Sequence, residues 1–160
     1  SAWRLPDHSD SGRIGSYGIN DWLFFAAYNR LELWDSGAAS DYPKQFRSES
    51  EIAQPALTHI LADSAYFEAA PHASDFPPMN LFQLQPPFPY FTSAMSFFTI
   101  PRHGSRPNPV PTYWPQDKPL PGAVNVSFFD GHSELVKLDR LWQLYWHRDY
   151  QPPAKRPGLP

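Results

Sequence analysis

Residues 126–138 read VSFFDGHSELVKL. Two short runs of alternating apolar and polar residues flank Asp130-Gly131, the strongest short-range signal for a β-hairpin. Both central residues of a type I′ turn take φ > 0; Asp tolerates that region and glycine enters it without steric cost. The spacing predicts strands over 123–129 and 133–138, with Phe128 and Phe129 on opposite faces. A chemical reading, a metal-binding domain or metal-dependent enzyme, competes with the turn. Asp130 and His132 are of the types that ligate zinc or another divalent ion, and His103, near the end of an upstream apolar run, makes a candidate trio with them should the strands pair.

On the C-terminal side, Asp139 is placed to cap a helix over 140–148, with Leu141, Trp142, Leu144, Tyr145 and Trp146 on a broad apolar face. PPAKRPGLP (152–160) reads as an extended tail. On the N-terminal side, residues 106–121 hold six prolines and predict a stiff, partly polyproline-like excursion. SAMSFFTIP (93–101) predicts a strand ended by Pro101, and the proline- and aromatic-rich stretch 68–92 a packed surface loop. ALTHILAD (56–63) predicts a buried strand. SESE (48–51) offers a capping box, with Ser48 at the N-cap and Glu51 three residues on. Trp22, Phe25, Tyr28 and Leu31 keep helical spacing within 22–47, while Gly37 and Pro43 stop it. SYGIND (16–21) predicts a short strand with Tyr17 and Ile19 on one side, and residues 1–15 a loop. The layout is α+β, a single domain over 1–160 with a small antiparallel sheet.

Composition narrows the function classes. Thirteen basic against sixteen acidic residues leave a net charge of −3, so no basic field points to nucleic acid or anionic lipid. The absence of cysteine removes disulfides and thiolate metal sites. No apolar run reaches the length of a bilayer span, and SAWRLPDHSD has neither the cationic start nor the apolar core of a secretory signal. Twenty prolines and an aromatic share of 16% predict irregular, rigid backbone held down by large apolar side chains.

Other chemistry finds little support. Ser64 after Asp63 and Ser133 after His132 are merely adjacent in sequence, with no Gly-x-Ser-x-Gly elbow. Asp63, Glu68 and Asp75 read as loop acids rather than a glycosidase pair. Asp7, Asp10, Asp35 and Asp41 lack EF-hand spacing, and no phosphate-cradling glycine loop occurs. NVS (125–127) matches a glycosylation sequon but lies inside a predicted strand. Exposed aromatics such as Trp114 would suit a carbohydrate-binding module, a third reading beside the turn and the metal site.

Several stretches together resemble a known family. SYGIN (16–20), LAD (61–63), IPRHG (100–104), LPGAVNVSFFDGHSELVKL (120–138) and LWQLYWHRDYQPPAKRPG (141–158) follow the order seen in prepilin-like proteins of the planctomycete and verrucomicrobial type. That family carries a processing-associated C-terminal signature of a histidine, nine intervening residues and Asp-Gly (H-X9-DG). The matching pieces cover about half of the chain. His103, Asp130 and Gly131 fall on the signature positions, but twenty-six residues separate His103 from Asp130. The resemblance implies a pilin-like headpiece whose N-terminal anchor helix is not in this chain. It also implies an extracytoplasmic, non-enzymatic structural subunit of a type IV pilus or type II secretion (pseudopilin) filament, membrane-anchored as the full-length precursor. Its expected partners are other pilin or pseudopilin subunits and the secretion or pilus machinery, with no cofactor and no nucleic acid. It brings no catalytic residue.

Overall fold

The VSFFDGHSELVKL unit folds as a hairpin in the computed structural model, which describes residues 3–4, 14–23, 44–82 and 93–160. Strand β6 (Ala123–Phe128) pairs antiparallel with β7 (Ser133–Lys137), Asn125 opposite Leu135 and Ser127 opposite Ser133. Strand β4 (His59–Asp63) lies on the other side of β6, with a bulge between His59 and Leu61. Strand β3 (Tyr17–Asn20) follows, antiparallel to β4, and β5 (Glu68–Ala69) closes the edge. The order is β5-β3-β4-β6-β7. A separate antiparallel pair joins β1 (Trp3–Arg4) and β2 (Ile14–Gly15).

The sheet is mixed, not purely antiparallel, because β5 runs parallel to β3. After β4 the chain crosses to the far side of β3 over residues 64–67, so the two-residue β5 lands beside β3 in the same direction. Period-two alternation divides the sheet faces. Ala62, Val124, Val126, Phe128 and Val136 are buried, whereas Tyr17, Asn125 and Leu135 on the opposite face are exposed. The buried face joins one hydrophobic cluster with Trp22, Met95, Phe98, Leu138, Leu141, Trp142, Leu144 and Trp146, all at 0% exposure. At roughly 1.5–3 kcal/mol for each fully buried large side chain, this aromatic layer is the main source of cohesion.

Several expected elements differ, beginning with residues 1–15, read as a loop, which carry the β1–β2 pair. Residues 93–101 are not a strand: Ala94–Phe97 form a 3₁₀ turn. Met95 N–H donates to Asp75 Oδ2 (3.0 Å), and Met95 O accepts from Thr99 Oγ1 (2.6 Å), so side chains take the groups a ladder would use. The C-terminal helix is also shorter, a 3₁₀ segment over Leu138–Gln143, with Leu144 already extended at φ −78°, ψ 155°. Tyr145 N–H donates to Leu57 O (2.9 Å) and Trp146 Nε1 to Leu141 O (2.8 Å), diverting groups an α-helix would pair internally. Asp139 caps nothing through its side chain; its carboxylate accepts from Leu120 N–H and Arg156.

The capping box is likewise altered. Glu49–Glu51 make one 3₁₀ turn with Ser48 at the N-cap but no side-chain cap bond, and Glu51 Oε2 accepts from Arg47 N–H (2.7 Å). Glu68–Ala69 is a short strand inside the expected 68–92 loop. The helical spacing through Phe25, Tyr28 and Leu31 falls outside the described residues.

Candidate functional site

The hairpin turn comes first. Gly131 N–H donates to Phe128 O (3.0 Å) and Phe128 N–H to His132 O (2.9 Å), so residues 129–131 form a three-residue loop rather than the expected two-residue turn. Gly131 sits at φ +93°, the left-handed position such loops need. Asp130 Oδ1 accepts from His132 N–H (3.2 Å) and faces His132 Nδ1 at 2.6 Å. The His132 side-chain hydrogen bond, followed by the backbone one, holds the Asp130 carboxyl below the usual carboxylate range. The His132 ring stacks on Phe128, with centroids 4.3 Å apart and planes 2° from parallel.

His103 does not join them. It forms an isolated antiparallel bridge with Ala123 at the opposite end of β6, both N–H···O bonds 2.9 Å long. A six-residue strand spans roughly 17 Å between the two places. The candidate metal trio of His103, Asp130 and His132 is therefore split, and no group of three His, Cys, Asp or Glu side chains converges among the described residues.

The ring of His103 meets different partners. Its Nε2 lies 3.0 Å from Asp63 Oδ2, whose side chain is only 4% exposed against 43% for the imidazole. The same carboxylate oxygen accepts from Asn125 N–H at 2.7 Å. The Asn125 side-chain amide is 2.9 Å from His103 Nε2. A carboxylate only accepts, so a proton on Nε2 serves Asp63, and the Asn125 amide then needs its oxygen toward the ring. Arg102 adds a charge nearby and donates to Ser64 O (2.7 Å). Its burial lowers the guanidinium pKa, a shift that Asp63 opposes.

A buried Asp orienting a partly exposed His is half of a hydrolase relay, which still needs a nucleophile. Ser64 does not supply one: its hydroxyl donates to Phe97 O (3.1 Å) and accepts from Tyr66 N–H (3.1 Å). Ser133 Oγ pairs with Ser127 Oγ at 2.9 Å. The cluster instead joins β4, β6 and the incoming chain at one corner of the sheet. Beside it, a recess of about 430 Å³ on the exposed face is lined by Tyr17, Leu61, Asn125, Ser127, Ser133 and Leu135.

The proline excursion begins next to His103. Gly104 (φ +68°) and Gly122 (φ +85°) flank the His103–Ala123 bridge. A Cβ placed on Gly104 would lie 3.4 Å from Ala123 Cβ and 3.8 Å from Gly122 C, so the two glycines are side by side. Residues 105–121 hang from this closed neck. They supply seventeen of the twenty-six residues between His103 and Asp130, and nine remain. Trp114 is no free platform: it is half-buried, donating from Nε1 to Pro119 O (3.2 Å) and from N–H to Met79 O (2.6 Å).

Two residues that sequence reasoning passed over anchor the surroundings. Buried Asn20, in SYGIN, donates from Nδ2 to Trp146 O (2.9 Å) and His59 O (3.3 Å) and accepts from Trp22 N–H (3.2 Å). Arg156, in the tail, has a side chain at 0% exposure beside Asp139. An asparagine closing a strand pattern was the only signal for the first; a lone arginine among prolines gave none for the second.

No family model, curated protein or solved structure matches this chain. No helix among the described residues is long and apolar enough to cross a membrane.

Proposed function

We propose that the chain is the headpiece of a pilin- or pseudopilin-like structural subunit, extracytoplasmic and non-enzymatic, which joins other such subunits in a type IV pilus or type II secretion filament. The observation that carries this reading is the convergence of its scattered signature segments on one sheet. SYGIN is β3, LAD ends β4, IPRHG brings in His103, and GAVNVSFFDGHSELVKL is the β6–β7 hairpin. His103 contacts both the LAD aspartate, Asp63, and Asn125 of the hairpin segment. The nine residues left when the excursion is set aside are the spacing of the signature.

The open sheet face supports the same reading. Tyr17 and Leu135 are each 52% exposed around the recess, apolar surface of the kind an amphipathic helix covers. The test lies in the gene. A basic leader, a cleavage junction and about 20 apolar residues with one Glu are expected upstream of Ser1; a coding region lacking them overturns the proposal. In the purified protein, elemental analysis is expected to find no stoichiometric metal, and a chelator to leave the melting temperature unchanged.

A further inference from the structure

We propose that the C-terminal tail is a strap for the excursion: Arg156 holds residues 105–121 in place, and tail and excursion open together as a unit separable from the sheet.

The excursion has little regular structure to hold it. Six prolines remove amide donors from residues 105–121, and no strand or helix forms there. Trp114 N–H and Gln116 Nε2 tie it to Met79 O (2.6 Å) and Pro77 O (2.5 Å), and the densest set of bonds comes from one side chain at the other end of the chain. Arg156 Nε donates to Asp139 Oδ1 (2.5 Å), and one terminal nitrogen donates to Gln116 O (2.8 Å) and Pro157 O (2.9 Å). The other terminal nitrogen donates to Lys118 O. The guanidinium also lies 5.8 Å from the ring centre of Trp142. Four of its five N–H groups thus have acceptors, two of them backbone carbonyls of the excursion.

Asp139 completes the strap. Its carboxylate accepts from Leu120 N–H at 3.0 and 3.1 Å while holding Arg156, so the 3₁₀ segment, the tail and the returning limb of the excursion share one carboxylate. Gly158 presses on the same loop, since a Cβ there would stand 2.7 Å from Gln116 O. The neck, by contrast, belongs to the sheet: His103 and Ala123 are bonded to each other, and His103 to Asp63. Cutting the strap therefore leaves the Pro77 contact, the Asp139 carboxylate and the burial of Leu120 to hold residues 116–120, while the hairpin keeps its own bonds.

Residue-resolved amide exchange on the full chain tests this, comparing wild type with Arg156→Gln and Gly158→Ala. In both variants, the amides of Trp114, Lys118, Leu120 and Leu159 are expected to exchange about tenfold faster or more, while those of β6 and β7 stay within about twofold of wild type. Arg156→Lys is expected to fall in between, because a single ammonium cannot span Asp139 and both carbonyls. Equal acceleration in sheet and excursion, loss of the sheet in either variant, or unchanged exchange at Trp114 and Leu120 would each overturn the proposal.

Discussion

At Gly131 the chain holds φ +93° with open space around the missing side chain, since nothing lies within 4 Å of where a Cβ would be. Any cost of a substitution there is consequently one of backbone conformation. Gly131→Ala is expected to destabilise by about 1 kcal/mol in urea denaturation, with Gly131→Asn recovering much of it because Asn tolerates the left-handed region. His132→Gln removes the stack on Phe128 and one exposed hydrogen bond, and is expected to cost less than about 1 kcal/mol. A loss of several kcal/mol there would contradict a turn role. At this scale the sequence was only partly legible. Asp130-Gly131 marks the turn correctly, but whether the loop holds two residues or three depends on which carbonyl Gly131 N–H reaches. Asn20 and Arg156 act through bonds to backbone distant in sequence, and no local pattern reports those.

Among the elements, β4, β6 and the His103 segment meet at Asp63. Its buried oxygen accepts from a β6 amide and from the His103 ring, whereas His103 is nearly half exposed. Asp63→Ala leaves the Asn125 N–H without its acceptor and is expected to cost about 1–3 kcal/mol, clearly more than His103→Gln. A double-mutant cycle should show coupling between them; equal single effects would remove Asp63 as the junction. Residue pattern explains why some elements were readable. The hairpin and β3 sit on a sheet with one buried face, so period two survives in their sequence. Residues 93–101 and 140–148 pack into the aromatic layer from several sides, and their apolar content reflects burial rather than helix or strand period. Side-chain bonds to Met95 and Leu141 then decide their backbone.

For the molecule as a whole, His59 adds a defined component to the response to acid. It is fully buried, edge-on to Trp146 at 3.9 Å and to Phe98 at 5.6 Å, and neither ring nitrogen meets a partner among the described residues. Burial lowers its pKa from 6.5 to about 3. The folded chain keeps this ring neutral, while the unfolded chain takes up the proton below about pH 6.5. Stability attributable to His59 is thus complete above that pH and falls by about 1.4 kcal/mol per unit on acidification toward pH 3. Denaturation between pH 6.5 and 5 should show this slope in wild type and a flatter one in His59→Leu. Identical slopes would mean the ring is protonated in the folded state.

The paired glycines at 104 and 122 also bear on how such a chain can vary. Because the His103–Ala123 bridge is closed before the excursion starts, the strand register does not depend on how much polypeptide lies between those glycines. Doubling a flexible loop's length adds only about 0.6 kcal/mol of closure entropy. Direct ligation of Gly104 to Gly122 would leave a Gly-Gly pair, a favoured two-residue hairpin connection. The position is accordingly a natural port for peptide grafts ahead of Trp114, where length can drift while Leu120 keeps its place in the core and the strand register on either side stays fixed.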